Sequence, residues 1–176
     1  SGFEHQVAAH FMAEGMPDEG LILTRAIHDR HHAAKRNPFN EIECSDHYAR
    51  AMASYGTFVT ACGFEYHGPK GYIGFAPKWN KENFKAAFTT AAGWGTYSQR
   101  KTDLKQIHSF ELKYGELALN KIALEKLGGK KVSSVSAILD GRQILIEFIQ
   151  KNNALEVLLK DKVSIGENQT LIITIS

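Results

Sequence analysis

Two periodicities divide the chain. Up to about residue 63, apolar residues recur at three- and four-residue spacings: Phe3, Val7, Ala8 and Phe11, then Leu21, Leu23, Ala26 and Ile27, then Tyr48, Ala49, Ala51, Met52, Tyr55 and Val59. Such spacing predicts helices that each bury one face. Gly15 ends the first helix. Pro17, Asp18 and Glu19 open the second, which runs toward Ala34. The third is expected from about Ser45 to Cys62, with Ser45 or Asp46 offering a side-chain oxygen to the first free N–H groups and Gly63 as the stop.

After Gly68-Pro69-Lys70-Gly71 the period shortens to two. Tyr72–Phe75 reads as a strand closed by Pro77. The stretch from Phe84 to Trp94 fits both periods, because Phe84, Ala86 and Phe88 alternate while Phe84, Ala87, Phe88 and Ala91 suit a helix; the neighbouring Gly93-Trp94-Gly95 and Thr96-Tyr97 favour the strand. Phe110, Leu112 and Tyr114 precede a turn at Gly115-Glu116, and Leu117, Leu119, Ile122 and Leu124 follow it. Gly128-Gly129 breaks the run before Val132–Leu139, and Asp140-Gly141 is a hairpin signal leading into Ile144–Ile149. Leu155–Leu159 and Thr170–Ile175 complete the set. Lys130-Lys131 and Lys160–Lys162 read as edge-strand charges. The expected class is α+β: helices over residues 1–67, then a β-rich, antiparallel, sandwich-like region over residues 68–176.

Composition narrows the function classes. An apolar content of 43% and a charged content of 23% are those of an ordinary globular protein. A formal charge of +2 argues for neither nucleic acid nor an anionic membrane surface as partner. Cys44 and Cys62 are too few for a disulfide framework, and no apolar run reaches the length of a membrane span. The chain starts without an initiator Met, as expected of a fragment or processed piece, and leaves its compartment open. With no Gly-rich phosphate loop and no Cys–His nucleophile pattern, no cofactor is expected.

The densest chemistry lies between Arg36 and Arg50, where three acids (Glu41, Glu43, Asp46), two arginines, His47 and Tyr48 gather where a loop runs into a helix. Pro38 keeps Asn37 extended. A carboxylate at Glu41 and a guanidinium at Arg50 brought to one spot suit a polyhydroxylated ligand; an acid-rich helix start that merely favours the dipole is the plainer alternative. Glu41 and Glu43 alternate on extended chain and point to opposite sides, so they make a poor pair for retaining glycoside hydrolysis, which needs carboxylates about 5–5.5 Å apart. His47 can bond a sugar, though a bond to loop backbone is the commoner role. His28, His31 and His32 have metal-ligand spacing, yet read as a solvated helix face, and no metal is expected. Trp79 and Trp94 can stack on a sugar, but core packing is the commoner place for them, as it is for Tyr48 and Tyr55.

The segment Asn37-Pro-x-Asn-Glu-Ile-Glu-Cys-x-Asp-His-Tyr-Ala-Arg-Ala-Met-Ala-Ser resembles one near the end of the catalytic region in glycoside hydrolase family 116, the non-lysosomal glucosylceramidases and bacterial β-glucosidases. The likeness is dense over residues 36–55 and looser over residues 2–100; the family more often has Gly where this chain has Ser45. The resemblance implies helices of an (α/α)6 barrel, retaining hydrolysis of β-glucosides, and glucose hydroxyls held at Glu41 and Arg50. It also implies that the nucleophile and acid/base belong to barrel segments outside this chain, so the rest of the barrel is an expected partner. The main alternative is a non-catalytic carbohydrate-binding or structural β module with a helical docking element. A weaker one is a small metal enzyme built on the histidines.

Overall fold

The structure, a computed structural model, describes residues 1–35, 40–41, 45–46, 50–128 and 131–176, with residues 40–41 and 45–46 as backbone. It divides into two compact units, Ser1–Gly63 and Phe64–Ser176.

The first unit holds α1 (Gly2–Ala13), α2 (Pro17–Arg30), a ribbon of β1 (Asn40–Glu41) with β2 (Ser45–Asp46), and α3 (Ala51–Cys62). Three helices stand among the described residues, and they do not form an (α/α)6 barrel. α1 packs on both other helices. Gly20 lets α2 approach it: a Cβ there would lie 2.7 Å from Met12 Cγ and 2.8 Å from the Ala8 carbonyl oxygen. Toward α3, the Thr57 hydroxyl donates to the His5 carbonyl at 3.1 Å. The buried stripe of α1 is His5, Ala8 and Met12, not the expected Phe3, Val7, Ala8 and Phe11, for Phe3 is 80% exposed and Val7 about half. Glu4, His5, Gln6 and His10 are spread around α1 among its apolar residues, so spacing alone does not single out its buried face.

Two helix ends depart from the sequence reading. α2 stops at Arg30, short of Ala34, with His31 outside helical geometry. α3 begins at Ala51, because Ser45 and Asp46 are spent in β2, where they face Glu41 and Asn40. Neither caps the helix. The N-cap is Arg50, in left-handed conformation at φ 59 and ψ 34. Gly63 closes the helix as expected, at φ 54.

The second unit is a β-sandwich. One sheet orders β10 (Arg142–Ile144), β9 (Val135–Leu139), β13 (Thr170–Ile175), β7 (Gln106–Gly115), β6 (Gly93–Lys101) and β5 (Asn83–Thr89). The other orders β11 (Ile146–Lys151), β12 (Ala154–Ile165), β8 (Leu117–Glu125), β4 (Tyr72–Phe75) and β3 (Phe64–His67). Pairing is antiparallel except between β4 and β8. Because β3 pairs with β4, residues 64–67 belong to the sandwich. The inner faces meet on aromatic rings. Phe75 of β4 stacks on Tyr97 of β6 with centroids 3.8 Å apart and planes 6° from parallel. Phe88 and Phe110 stand edge-on to Phe75 at 6.1 and 5.9 Å.

The alternation assigned most strands, including 84–89, and Asp140-Gly141 makes the expected two-residue hairpin with both φ positive, 45 and 81. Gly115-Glu116 is a turn of another kind, carrying the chain from β7 in one sheet to β8 in the other. It demands glycine: φ is +79, and a Cβ would fall 2.0 Å from the Ala92 carbonyl oxygen. The single strand expected over Ile144–Ile149 is cut at Leu145, where the chain again changes sheets. Lys160–Lys162 are not on an outermost strand: they lie on β12, just past Leu159, where its pairing with β11 ends, and span its register shift with β8 between Leu158 and Val163.

Candidate functional site

Arg50 is the one predicted site residue whose side chain is described, and the chain holds it firmly. A non-glycine residue in left-handed geometry costs roughly 1–2 kcal/mol, so Arg50 occupies it at an energetic cost met elsewhere in the unit. Its side chain lies over the first turn of α1, since a Cβ on Gly2 would come within 3.2 Å of Arg50 Cδ and 3.3 Å of Nε. Together they line a cleft of about 620 Å³ between α1 and α3, with Phe3, Gln6, Met52 and Thr60 among its walls. Phe3 and Met52 supply apolar surface, 80% and 73% exposed, while Arg50, Gln6 and Thr60 supply polar atoms. A guanidinium beside apolar side chains in a concavity of this size has the makings of a small-ligand site. Gly2, Phe3 and Thr60 escape a reading of spacing, because they meet Arg50 only through helix packing.

Glu41 takes part in β1, its backbone opposite Ser45. Its side chain, and the whole of His47, lie outside the described residues, as do Glu43 and Tyr48. The expected meeting of Glu41 with Arg50 therefore remains a proposal.

The histidine triplet does not hold its helical spacing, because α2 ends at Arg30. His31 Nδ1 bonds the Ile27 carbonyl at 3.0 Å, while His32 Nδ1 accepts from the Ala34 N–H at 3.2 Å. Among the described residues no three His, Cys, Asp or Glu side chains gather closely enough to hold a metal. Asp29 bonds Arg25 at 2.7 Å, and Arg30 pairs with Glu4 across α1 and α2. Burial pushes the Cys62 thiol up to about 11, so it stays protonated at neutral pH and is no nucleophile.

The aromatic expectations are overturned for three residues. Tyr55 is 47% exposed, Trp79 52% and Trp94 50%, none of them core. Trp79 lies in the bend between β4 and β5, outside both sheets. Trp94 lies on the outward side of β6, since its neighbours Gly95 and Tyr97 alternate inward, and Tyr114 of β7 stands opposite it.

No protein-family model matches the chain, and no curated protein matches it. Among solved structures it is similar to an alpha-L-rhamnosidase from Dictyoglumus thermophilum, at 13% identity and a TM-score of 0.37, over 78% of this chain and 15% of that one.

Proposed function

We propose that the chain is part of a glycoside hydrolase acting on β-glucosides, one that positions the sugar while the catalytic carboxylates come from elsewhere in the barrel. The observation that carries this reading is Arg50: it sits in the stretch that resembles the glucosylceramidase family, in a costly backbone conformation, on the wall of a ligand-sized cleft. In this reading Arg50 donates to glucose hydroxyls, Glu41 accepts from them, and His47 plays a lesser part. Such contacts stabilise a transition state away from the bond being cleaved. A second support is the apolar surface of the helices: Phe3, Ile22 and Met52 are each at least 70% exposed, and Tyr55 and Phe58 are 47% and 41% exposed. Surface of this kind suits further barrel helices.

The test is made on both the chain and the catalytic assembly that contains it. The 176 residues alone should turn over no aryl β-glucoside. In the assembly, Arg50→Ala should lower kcat/KM about ten- to hundredfold, the equivalent of one charge-assisted hydrogen bond, with Glu41→Gln milder than Glu41→Ala. Hydrolysis by the chain alone, or an Arg50→Ala enzyme with full kcat/KM and a lowered melting temperature, overturns the reading.

A second reading, a non-catalytic carbohydrate-binding module, is favoured by one observation: half-exposed Trp94 stands cross-strand from Tyr114, itself 60% exposed, on the outer face of the sandwich. Oligosaccharide that quenches Trp fluorescence in the wild type but not in Trp94→Ala would support it; unchanged fluorescence would remove it.

A further inference from the structure

A second cavity, of about 500 Å³, opens in the sandwich where the β6–β7 turn, the segment after β8 and the approach to β9 come together. Lys101, Lys105, Lys126 and Lys131 line it, against one acidic side chain, Asp103, and the carboxyl group of Ser176. Lys126 is the unusual member, only 7% exposed. Its Nζ donates to the Gly128 carbonyl at 2.6 Å, and among the described residues no carboxylate pairs with it. Several other lysines of the sandwich pair with glutamates even where both are wet, among them Lys81 with Glu125 at 3.0 Å, Lys121 with Glu156 at 2.8 Å, and Lys160 with Glu147 at 3.8 Å. The most buried lysine is thus one left without a counter-charge. Buried ammonium groups are rare unless paired, because taking the charge out of water is costly.

The pocket's frame is built largely from bonds between polar side chains and the main chain. Thr102 closes the β6–β7 turn, its hydroxyl accepting from the Lys105 N–H at 3.1 Å. Gln106 ties β7 to the end of β8, donating to the Glu125 carbonyl at 2.7 Å and accepting from the Leu127 N–H at 2.9 Å. Lys101 shares its charge with exposed Glu82 at 3.3 Å, while Lys105 and Lys131 have no ion pair among the described residues.

We propose that this pocket binds the anionic group of a small ligand, a phosphate, sulfate or carboxylate on a body no larger than a sugar, with Lys126 as the buried anchor and Lys105 and Lys131 as outer contacts. The site is separate from the Arg50 cleft and does not depend on the reading given to that cleft.

Calorimetric titration of the full chain with inorganic phosphate, sulfate, glucuronate and neutral glucose, against chloride at matched ionic strength, tests it. At least one of the three anions should bind saturably at one site and raise the melting temperature, whereas glucose should not. Phosphate and sulfate binding without glucuronate identifies a tetrahedral oxyanion; tighter binding of glucuronate identifies an acidic sugar. Lys105→Gln with Lys131→Gln, both exposed positions, should weaken binding by about tenfold or more while the protein stays folded, and Lys126→Met should abolish it. Should no anion bind above the chloride control, or should these variants bind as the wild type does, the proposal fails.

Discussion

The Tyr97 hydroxyl lies 2.7 Å from His108 Nδ1, in the closed interior of the sandwich where both side chains are fully buried. The same hydroxyl is 3.0 Å from Gln99 Oε1, and Gln99 Nε2 donates to the Lys81 carbonyl at 2.6 Å. This orients the whole chain of bonds. Gln99 presents its oxygen to Tyr97, so Tyr97 donates there and accepts from a protonated Nδ1 on His108. Among the described residues, His108 Nε2 is left as a bare acceptor without a hydrogen-bond partner.

Charging that ring would bury a second N–H with nothing to receive it, and burial lowers the His108 pKa from 6.5 to about 3. Between those values the unfolded chain holds a proton that the folded one refuses. The contribution to stability is therefore complete above about pH 6.5 and is lost as pH falls toward 3. Urea unfolding from pH 7 to 4 should show up to roughly 1.4 kcal/mol per pH unit from this group. His108→Leu should flatten the profile by that amount, and an unchanged slope would assign the effect to other groups.

Two helical glycines should respond to alanine with opposite signs. Gly20→Ala drives a methyl against the Ala8 carbonyl and Met12, and overpacking of this kind costs about 1–3 kcal/mol, more than the helix propensity gained. Gly56→Ala meets nothing within 4 Å and should gain up to about 1 kcal/mol. Thermal melts of the two variants decide it.

Gln106→Leu should destabilise the sandwich strongly. The side chain is 4% exposed and satisfies both the Glu125 carbonyl and the Leu127 N–H. Each buried group left unpaired costs about 1–3 kcal/mol, so a loss of several kcal/mol is expected in denaturant titration. Gln106→Glu, which keeps only the acceptor, should fall between.

Arg50→Gly separates backbone from side chain. Glycine adopts φ 59 without penalty, so the helical unit should gain about 1 kcal/mol in melting experiments if strain outweighs the lost side-chain contacts. A stabilised protein with impaired sugar handling would mark Arg50 as retained for ligand, whereas destabilisation would mark it as a packing residue.

Elements whose geometry is set by neighbours in sequence were the legible ones. β4, β13 and the Asp140-Gly141 hairpin fall where alternation and turn chemistry put them. The register shift between β12 and β8 also left a trace: the apolar phase of β8 slips between Leu119 and Ile122, where the Gly71 carbonyl accepts from both Asn120 and Lys121. What stayed hidden was decided by partners remote in sequence. Ser45 and Asp46 have good capping side chains, yet pairing with Glu41 and Asn40 takes their backbone first. Leu145 continues a fine strand pattern, but the chain must leave one sheet for the other there. The Lys126 pocket is assembled from three separate segments, and no local motif announces it.

The parallel pairing of β4 with β8 bears on the order in which the sandwich is assembled. Every residue from β5 to β7 lies between the two strands in sequence, so their direct encounter would close a long, entropically costly loop. Formed first as two successive hairpins, β5–β6–β7 shortens that loop and delivers β8 across the Gly115-Glu116 turn to the waiting edge of β4. Folding should thus be polarised. Substitutions in the β5–β7 meander should slow refolding, while substitutions along the β4–β8 seam should chiefly hasten unfolding.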